Sequence, residues 1–247
     1  MRLIDRNAQT NRWRQIAAIE KVVLSLGMIV LGLCSASWLV QGLILATMLL
    51  LLRFGAGVGL ADILKSASVP LLFILASTLA QIVTLDVNHM MPVIGLSPAS
   101  INAAAFVGLR SLACIGALLF LALTTPLTDL LRLLRRLGLG AEVSDVALMM
   151  FRFVWLTLDC LERGRQSQAN RLGYGGYRRS LQSIGMLLAN LLPRVLGRAQ
   201  RLEAGLASRG YHGELRFIVR ERPLSAGRLL AVSLLLLSIA ALGRIAG

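Results

Sequence analysis

From Val22 to Leu52 the chain runs for 31 residues without one charge. As a single α-helix this stretch would reach about 46 Å at ~1.5 Å per residue, well beyond a hydrocarbon core about 30 Å thick. Arg2, Arg6, Arg12, Arg14 and Lys21 precede it, and Arg53 and Lys65 follow. Because Lys and Arg collect on cytoplasmic loops, both flanks read as cytoplasmic and the crossings between them must be even in number. The run is therefore expected to divide near Ser35-Ala36-Ser37 into two short helices, 22–34 and 38–52, helped by tilt, local thinning or packing. The long polar lead, and apolar sequence resuming directly after Ser37, favour a retained span over a cleaved signal peptide.

Three further apolar stretches follow. Residues 67–85 carry Pro70 in the expected first turn, where proline is tolerated. Residues 103–124 are rich in small side chains (Ala103, Ala104, Ala105, Gly108, Gly116) suited to close helix packing, and 226–243 form the last. The connection 86–102 holds Asp86, His89, Pro92 and Pro98 but no Lys or Arg, so it should be external. The expectation is an all-α, multi-pass protein of about five spans in the cell (inner) membrane, with its N-terminus cytoplasmic. Composition agrees: 56% of residues are hydrophobic and 15% charged, against about 25% charged in soluble domains. Arg110 falls inside a span; such a residue is functional by default, or it reaches a polar subunit interface or pairs locally. The three scattered cysteines, Cys34, Cys114 and Cys160, read as small buried apolar residues.

The domains are then 1–124 (membrane helices), 125–225 (a basic cytoplasmic block) and 226–247 (the last span). The block carries 16 Arg against 8 acids. Thr128-Asp129 can cap a short amphipathic helix through Leu137, ended by Gly138 and Gly140. Ser144-Asp145 starts a long helix toward Leu172, and Ser180 can cap a second that runs to Ser208 or Arg209, kinked at Pro193. Leu181, Leu188, Val195 and Leu202, joined by Ile184 and Leu191, recur as a heptad seam expected to pack on the first long helix.

Both long helices break at one signature. The first ends Gln168-Ala169-Asn170-Arg171-Leu172-Gly173-Tyr174-Gly175, the second Leu206-Ala207-Ser208-Arg209-Gly210-Tyr211-His212-Gly213, with Gly173 and Gly210 37 residues apart. An arginine in a last turn answers the negative end of the helix dipole, and for either one alone that explanation suffices. The repeated Gly-Tyr-x-Gly pattern favours contact with a partner, since the planar guanidinium suits paired hydrogen bonds to carboxylates.

Residues for catalysis are missing. Gly55-Ala56-Gly57-Val58-Gly59 lacks the lysine and preceding strand of a phosphate loop and reads as a flexible cytoplasmic turn. No His/Cys spacing suits zinc. Asp86-Val87-Asn88-His89-Met90-Met91 offers metal donors but reads as polar surface. No catalytic residue, no metal site and no bound cofactor is expected. A self-sufficient permease or channel would want more intramembrane polarity than Gln41, Gln81 and Arg110. A nucleic-acid binder would not dilute 16 arginines with 8 acids.

In this layout, in Met150-Phe151-Arg152-Phe153, in the two arginine motifs and in Ile19-Glu20-Lys21 before the first span, the chain resembles the transmembrane T component of energy-coupling-factor transporters, especially the cobalt-transport branch. The resemblance implies a non-catalytic scaffold with lipid-embedded helices and no nucleic-acid partner. Its partners would be a pair of ATP-binding cassette subunits, which carry ATP and magnesium, and a separate metal-binding integral membrane subunit. Two long coupling helices in that family end in Ala-Arg-Gly-like motifs that dock into the ATPases. Carried onto this chain, the docking residues are Asn170, Arg171, Gly173, Ala207, Ser208, Arg209 and Gly210. The departures are Leu172 between Arg171 and Gly173, and Ser208 in place of alanine. The Arg209-to-Glu214 form of the second motif favours cobalt over nickel, a vitamin-type substrate being the alternative.

Overall fold

A computed structural model describes residues 3–82, 84–86, 93–95, 98–138, 140–210 and 225–245. Its helices are α1 (Leu3–Thr10), α2 (Ala18–Cys34), α3 (Trp38–Leu50), α4 (Leu60–Ile82), α5 (Pro98–Thr124), α6 (Leu127–Arg136), α7 (Ala141–Asn170), α8 (Tyr177–Ala207) and α9 (Ala226–Ile245). A 3-10 turn (Arg12–Gln15) follows α1, and a π turn (Leu51–Gly55) extends α3. Two three-residue strands, β1 (Thr84–Asp86) and β2 (Val93–Gly95), pair antiparallel between α4 and α5. The chain divides into two compact units, one of residues 1–130 and 220–247, the other of 131–219.

The first unit is built around α5. Its small residues let neighbours come close: a Cβ on Gly108 would stand 2.6 Å from the Thr78 methyl of α4, and one on Gly116 would stand 3.3 Å from Leu45 of α3. Ser25 of α2 donates to the Ala117 carbonyl at 2.7 Å, buried on α5. Without a hydrophobic drive between helices in lipid, such close approach and interhelical hydrogen bonding do the holding. Leu24, Met28, Ile44, Met48, Leu52, Phe120 and Leu123 fill the core. The outer faces of α4 (Val69, Leu72, Phe73) and α9 (Leu230, Leu234, Leu237) stay exposed, as lipid-facing surfaces do.

Among the described residues four stretches are long and apolar enough to cross a membrane: 38–55, 60–82, 100–124 and 226–244. Of the five expected spans these account for four; the other, α2, has 17 residues and reaches about 25 Å, short of a ~30 Å core. The uncharged run does break at Ser35–Ser37, both of whose ends are extended (ψ 134° and 133°).

Several expected boundaries move. Helix α4 begins at Leu60, because Gly59 accepts from the amides of Asp62 and Ile63 and Asn7 fastens Asp62 at 3.1 Å. Pro70 therefore lies in the helix interior, where it removes one backbone hydrogen bond. The 55–59 glycine run is not a loose turn: Ala56 and Val58 are buried, Val58 donates to the Leu52 carbonyl, and Trp13 lies against Gly55 and edge-on to Phe120. Helix α7 starts at Ala141 rather than at Ser144, and α8 at Tyr177 rather than at Ser180. Residues 87–92, with His89 and the expected external loop, lie outside the described residues, as do Tyr211, His212, Gly213 and Glu214.

Candidate functional site

Within the second unit, α7 and α8 form a helical hairpin whose turn carries the first arginine motif. The last turn of α7 closes with two hydrogen bonds, Leu172 N–H to the Ala169 carbonyl (3.0 Å) and Gly173 N–H to the Gln168 carbonyl (2.9 Å). That pair of bonds is the Schellman closure, with the residue between the helix and its exit in the left-handed region. Here that residue is Leu172, at φ 56°, the sole positive-φ non-glycine among the described residues. A leucine held there costs about 1–2 kcal/mol relative to a right-handed conformation. The second end shares the inner of these two bonds and the left-handed seat. Gly210, at φ 71°, donates to the Ala207 carbonyl at 3.1 Å, and Arg209 stands just before it.

The backbone thus pairs the motifs differently from the sequence pattern. Matching glycine to glycine sets Gly173 against Gly210, whereas conformation sets Leu172 against Gly210 and Arg171 against Arg209. Leu172 is not an insertion. It fills the left-handed seat, and Gly173 takes the next position for another reason: a Cβ there would lie 2.8 Å from the Ser183 hydroxyl and 3.0 Å from the Gln168 carbonyl. Both contacts belong to a clasp that sequence reading missed. Gln168 Nε2 donates to the Ser183 carbonyl (3.0 Å), Ser183 Oγ to the Gly173 carbonyl (2.9 Å), and the Tyr174 hydroxyl to Gln168 Oε1 (2.9 Å). Ser183 is the buried residue of α8. The cue in the sequence is a second serine, Ser183, three residues after Ser180, the expected cap of α8.

Asn170, Arg171, Ala207, Ser208, Arg209 and Gly210 are all exposed, and Gly173 is half-buried in the clasp. The first end is fastened to the opening turns of α8, while the second closes α8 itself. They are therefore separated by the length of a 31-residue helix, up to about 45 Å. Beside Arg171 a groove of about 270 Å3 opens between α7 and α8, lined by Arg163, Arg171 and Arg194 with Gln168 and Asn190 and by no acidic residue. One turn earlier, the Arg165 guanidinium sits 2.8 Å from Glu162 and holds that carboxyl below its ordinary range, through the hydrogen bond first.

Only part of the expected seam of α8 meets α7: Leu191 lines the groove between the two helices, and Val195 and Leu202 are half-buried. Leu181, Ile184 and Leu188 are exposed, as are Leu192 and Leu196. Besides Leu191, the contact uses Ser183 and Leu187, the latter pressed onto Gly164 of α7. On α7, Val143, Val146, Met150 and Val154 form a second exposed apolar stripe at helical spacing.

Arg110 has a local task. Its guanidinium donates to the Ser35 carbonyl at 2.8 Å and lies 4.8 Å over the Phe106 ring, while Gln41 donates to the Gly32 and Ser35 carbonyls at 2.6 and 3.2 Å. Irregular backbone at membrane depth survives only where its polar groups are satisfied, and these two side chains do that for the α2–α3 elbow. Among the described residues no group of three or more His, Cys, Asp or Glu side chains could hold a metal ion.

Comparison with known proteins agrees with this architecture. Residues 10–219 match the family model described as "Cobalt transport protein". A cobalt transport protein CbiQ of Rhodobacter capsulatus is 35% identical over 233 residues, covering 94% of this chain and 93% of the relative. The CbiQ protein of Salmonella typhimurium is 26% identical over 220 residues, covering 85% and 97%. A putative fused cobalt transport protein CbiMQ of Methanocorpusculum labreanum is 29% identical over 118 residues, 48% of this chain and 20% of that protein. With a family match over most of its length and relatives aligned nearly end to end, this chain belongs to the CbiQ family of cobalt transport proteins.

Proposed function

We propose that this chain is the membrane scaffold of an ATP-driven cobalt uptake transporter in the inner membrane, N-terminus cytoplasmic. It couples a pair of ATP-binding cassette subunits to a separate metal-binding membrane subunit. The chain itself binds no cofactor, and ATP and magnesium stay on the partners. The observation that carries this reading is the repetition in three dimensions. Two long helices each end on an exposed arginine that directly precedes a left-handed residue. A dipole-neutralising cation needs no such repeated exit geometry, whereas a docking ball does. The acid-free, arginine-lined groove beside Arg171 suits a partner that presents carboxylates. Ends set apart by the length of α8 suit two ATPase subunits better than one.

The apolar stripes of α7 and α8 offer the metal-binding subunit a surface, and the fused CbiMQ relative is consistent with such a companion. A self-sufficient permease is disfavoured because Gln41 and Arg110 are occupied by the elbow's own carbonyls. The test is affinity purification from membranes of the wild type and of the Arg171→Glu/Arg209→Glu double variant. Wild type should bring down a cassette ATPase, and the double variant, inserted in equal amount, should lose it and lose cobalt uptake. ATPase retained by the double variant would sink the docking reading.

A further inference from the structure

We propose that Leu172 is an apolar contact by which the α7 end seats in an apolar depression of its ATP-binding subunit, next to the group that receives Arg171. The two docking ends are then chemically distinct, because the α8 end has no side chain at the same backbone position. This inference rests on the docking reading above and adds a residue to it.

Three observations lead there. Leu172 occupies a left-handed conformation, φ 56°, that the α8 end gives to Gly210. A glycine closes a helix at this seat without steric cost, so the closure does not explain the leucine. Nor does packing explain it: Leu172 is 77% exposed. The hydrophobic contact that often accompanies a Schellman closure is made by the residue one position later, which here is Gly173. Strain kept at an exposed position points to use rather than to stability. The backbone that carries the side chain is also held in place for that use. Its amide donates to the Ala169 carbonyl, and the clasp from Gln168 to Ser183 and Tyr174 fixes the backbone on its far side. A contact fixed beforehand loses little freedom on binding.

The neighbourhood defines the partner's chemistry. Arg171 directly precedes Leu172, and the adjoining groove presents further guanidiniums from Arg163 and Arg194. The complementary surface is an apolar depression rimmed by acidic side chains, which a protein subunit can supply and a hydrocarbon surface cannot.

The experiment uses the full-length chain in nanodiscs and, as probe, the cassette ATPase recovered with wild type, purified and titrated. Four chains are compared with wild type: Leu172→Gly, Leu172→Asn, Leu172→Met and Arg171→Glu/Arg209→Glu. Glycine and asparagine both tolerate the left-handed seat, so neither should lower Tm, and Leu172→Gly should raise it. Both should bind the ATPase at least about tenfold more weakly, as loss of one well-buried leucine side chain implies. Leu172→Met, still apolar, should stay within about threefold of wild type. Wild-type affinity in Leu172→Gly and Leu172→Asn, with binding lost in the double arginine variant, overturns the proposal and leaves arginine docking standing. Wild-type affinity in the double arginine variant overturns both. A lowered Tm in Leu172→Gly also overturns the proposal, since the leucine would then be serving the fold.

Discussion

At the scale of single residues, the α7 end turns on Leu172, which takes at φ 56° the left-handed seat that Gly210 takes on α8. A repeated Arg followed by Gly-Tyr marks two helix ends, because glycine punctuates helices and the repeat is visible in one dimension. Which residue turns left-handed is decided by hydrogen bonds to Gln168 and Ala169, and those depend on where α8 places Ser183. Pattern reading therefore aligned the glycines and treated Leu172 as surplus. The corrected alignment makes a prediction of its own. Gly173→Ala should lower the stability of the hairpin by about 1–3 kcal/mol, the usual cost of overpacking, because its Cβ would crowd the Ser183 hydroxyl and a backbone carbonyl. Thermal melts of the purified protein would check it, and an unchanged Tm would refute the clasp. A pH effect also belongs here. Because the Glu162 carboxyl is held below its ordinary range, its pair with Arg165 supports α7 above that range and is lost as pH falls through the lowered value. Amide protection factors across 159–166, taken relative to the intrinsic exchange rate at each pH, should fall in acid in wild type and depend less on pH in Glu162→Gln. The pair is fully exposed, so global Tm should barely respond.

At the scale of elements, charge arithmetic was the informative signal and periodicity was not sufficient. The even-crossing argument located the break at Ser35–Ser37 because an uncharged run too long for one span had nowhere else to bend. What it could not supply was the support beneath the break. Arg110 and Gln41 lie 75 and 6 residues from Ser35, whose carbonyl both of them bind. The heptad on α8 illustrates the opposite failure. Leu181, Ile184 and Leu188 mark an exposed apolar face, but periodicity names no partner: the contact with α7 runs through Ser183, Leu187 and Leu191, of which only the last belongs to the heptad. Two predictions follow from these elements. Arg110→Leu leaves the elbow carbonyl short of a donor and should destabilise the membrane unit by about 1–3 kcal/mol, read as a lower Tm in detergent, whereas loss of uptake at unchanged Tm would point to a transport role instead. Leu188→Glu and Leu192→Glu, on the exposed stripe, should leave Tm within a degree or two and retain the ATPase. They should reduce co-purification of the metal-binding subunit. A large fall in Tm would show that the stripe is buried by the chain's own helices.

At the scale of the whole molecule, the task proposed above is to carry motion from an ATPase to membrane helices, and the chain passes from one unit to the other within α6. The start of that crossing is the C-terminal end of α5, and the N-terminal segment holds it. Asn11 donates to the Leu123 and Thr124 carbonyls at 3.1 and 3.2 Å, and the buried Lys21 donates to Thr124 at 2.8 Å. A cation at a helix C-terminus answers both the unpaired carbonyls and the dipole. The next residue over, buried Glu20, binds the Ser225 amide and Arg228 at the start of α9. Adjacent side chains thus tie α2 to the two helices that lead out of the membrane unit. This arrangement was only partly legible, since Glu20-Lys21 looked like the polar edge of a span. Its partners lie more than a hundred residues away in sequence. If force enters through Arg171 and Arg209, a fixed end of α5 is what lets it act on the bundle rather than bend the connection. Lys21→Met keeps the aliphatic stem and removes the donor. It should insert, retain its ATPase and retain ATP hydrolysis in the assembled transporter, while cobalt uptake per ATP hydrolysed falls severalfold. Equal losses of hydrolysis and uptake would mean that Lys21 serves assembly, and wild-type levels of both would remove the α5 end from the path of coupling.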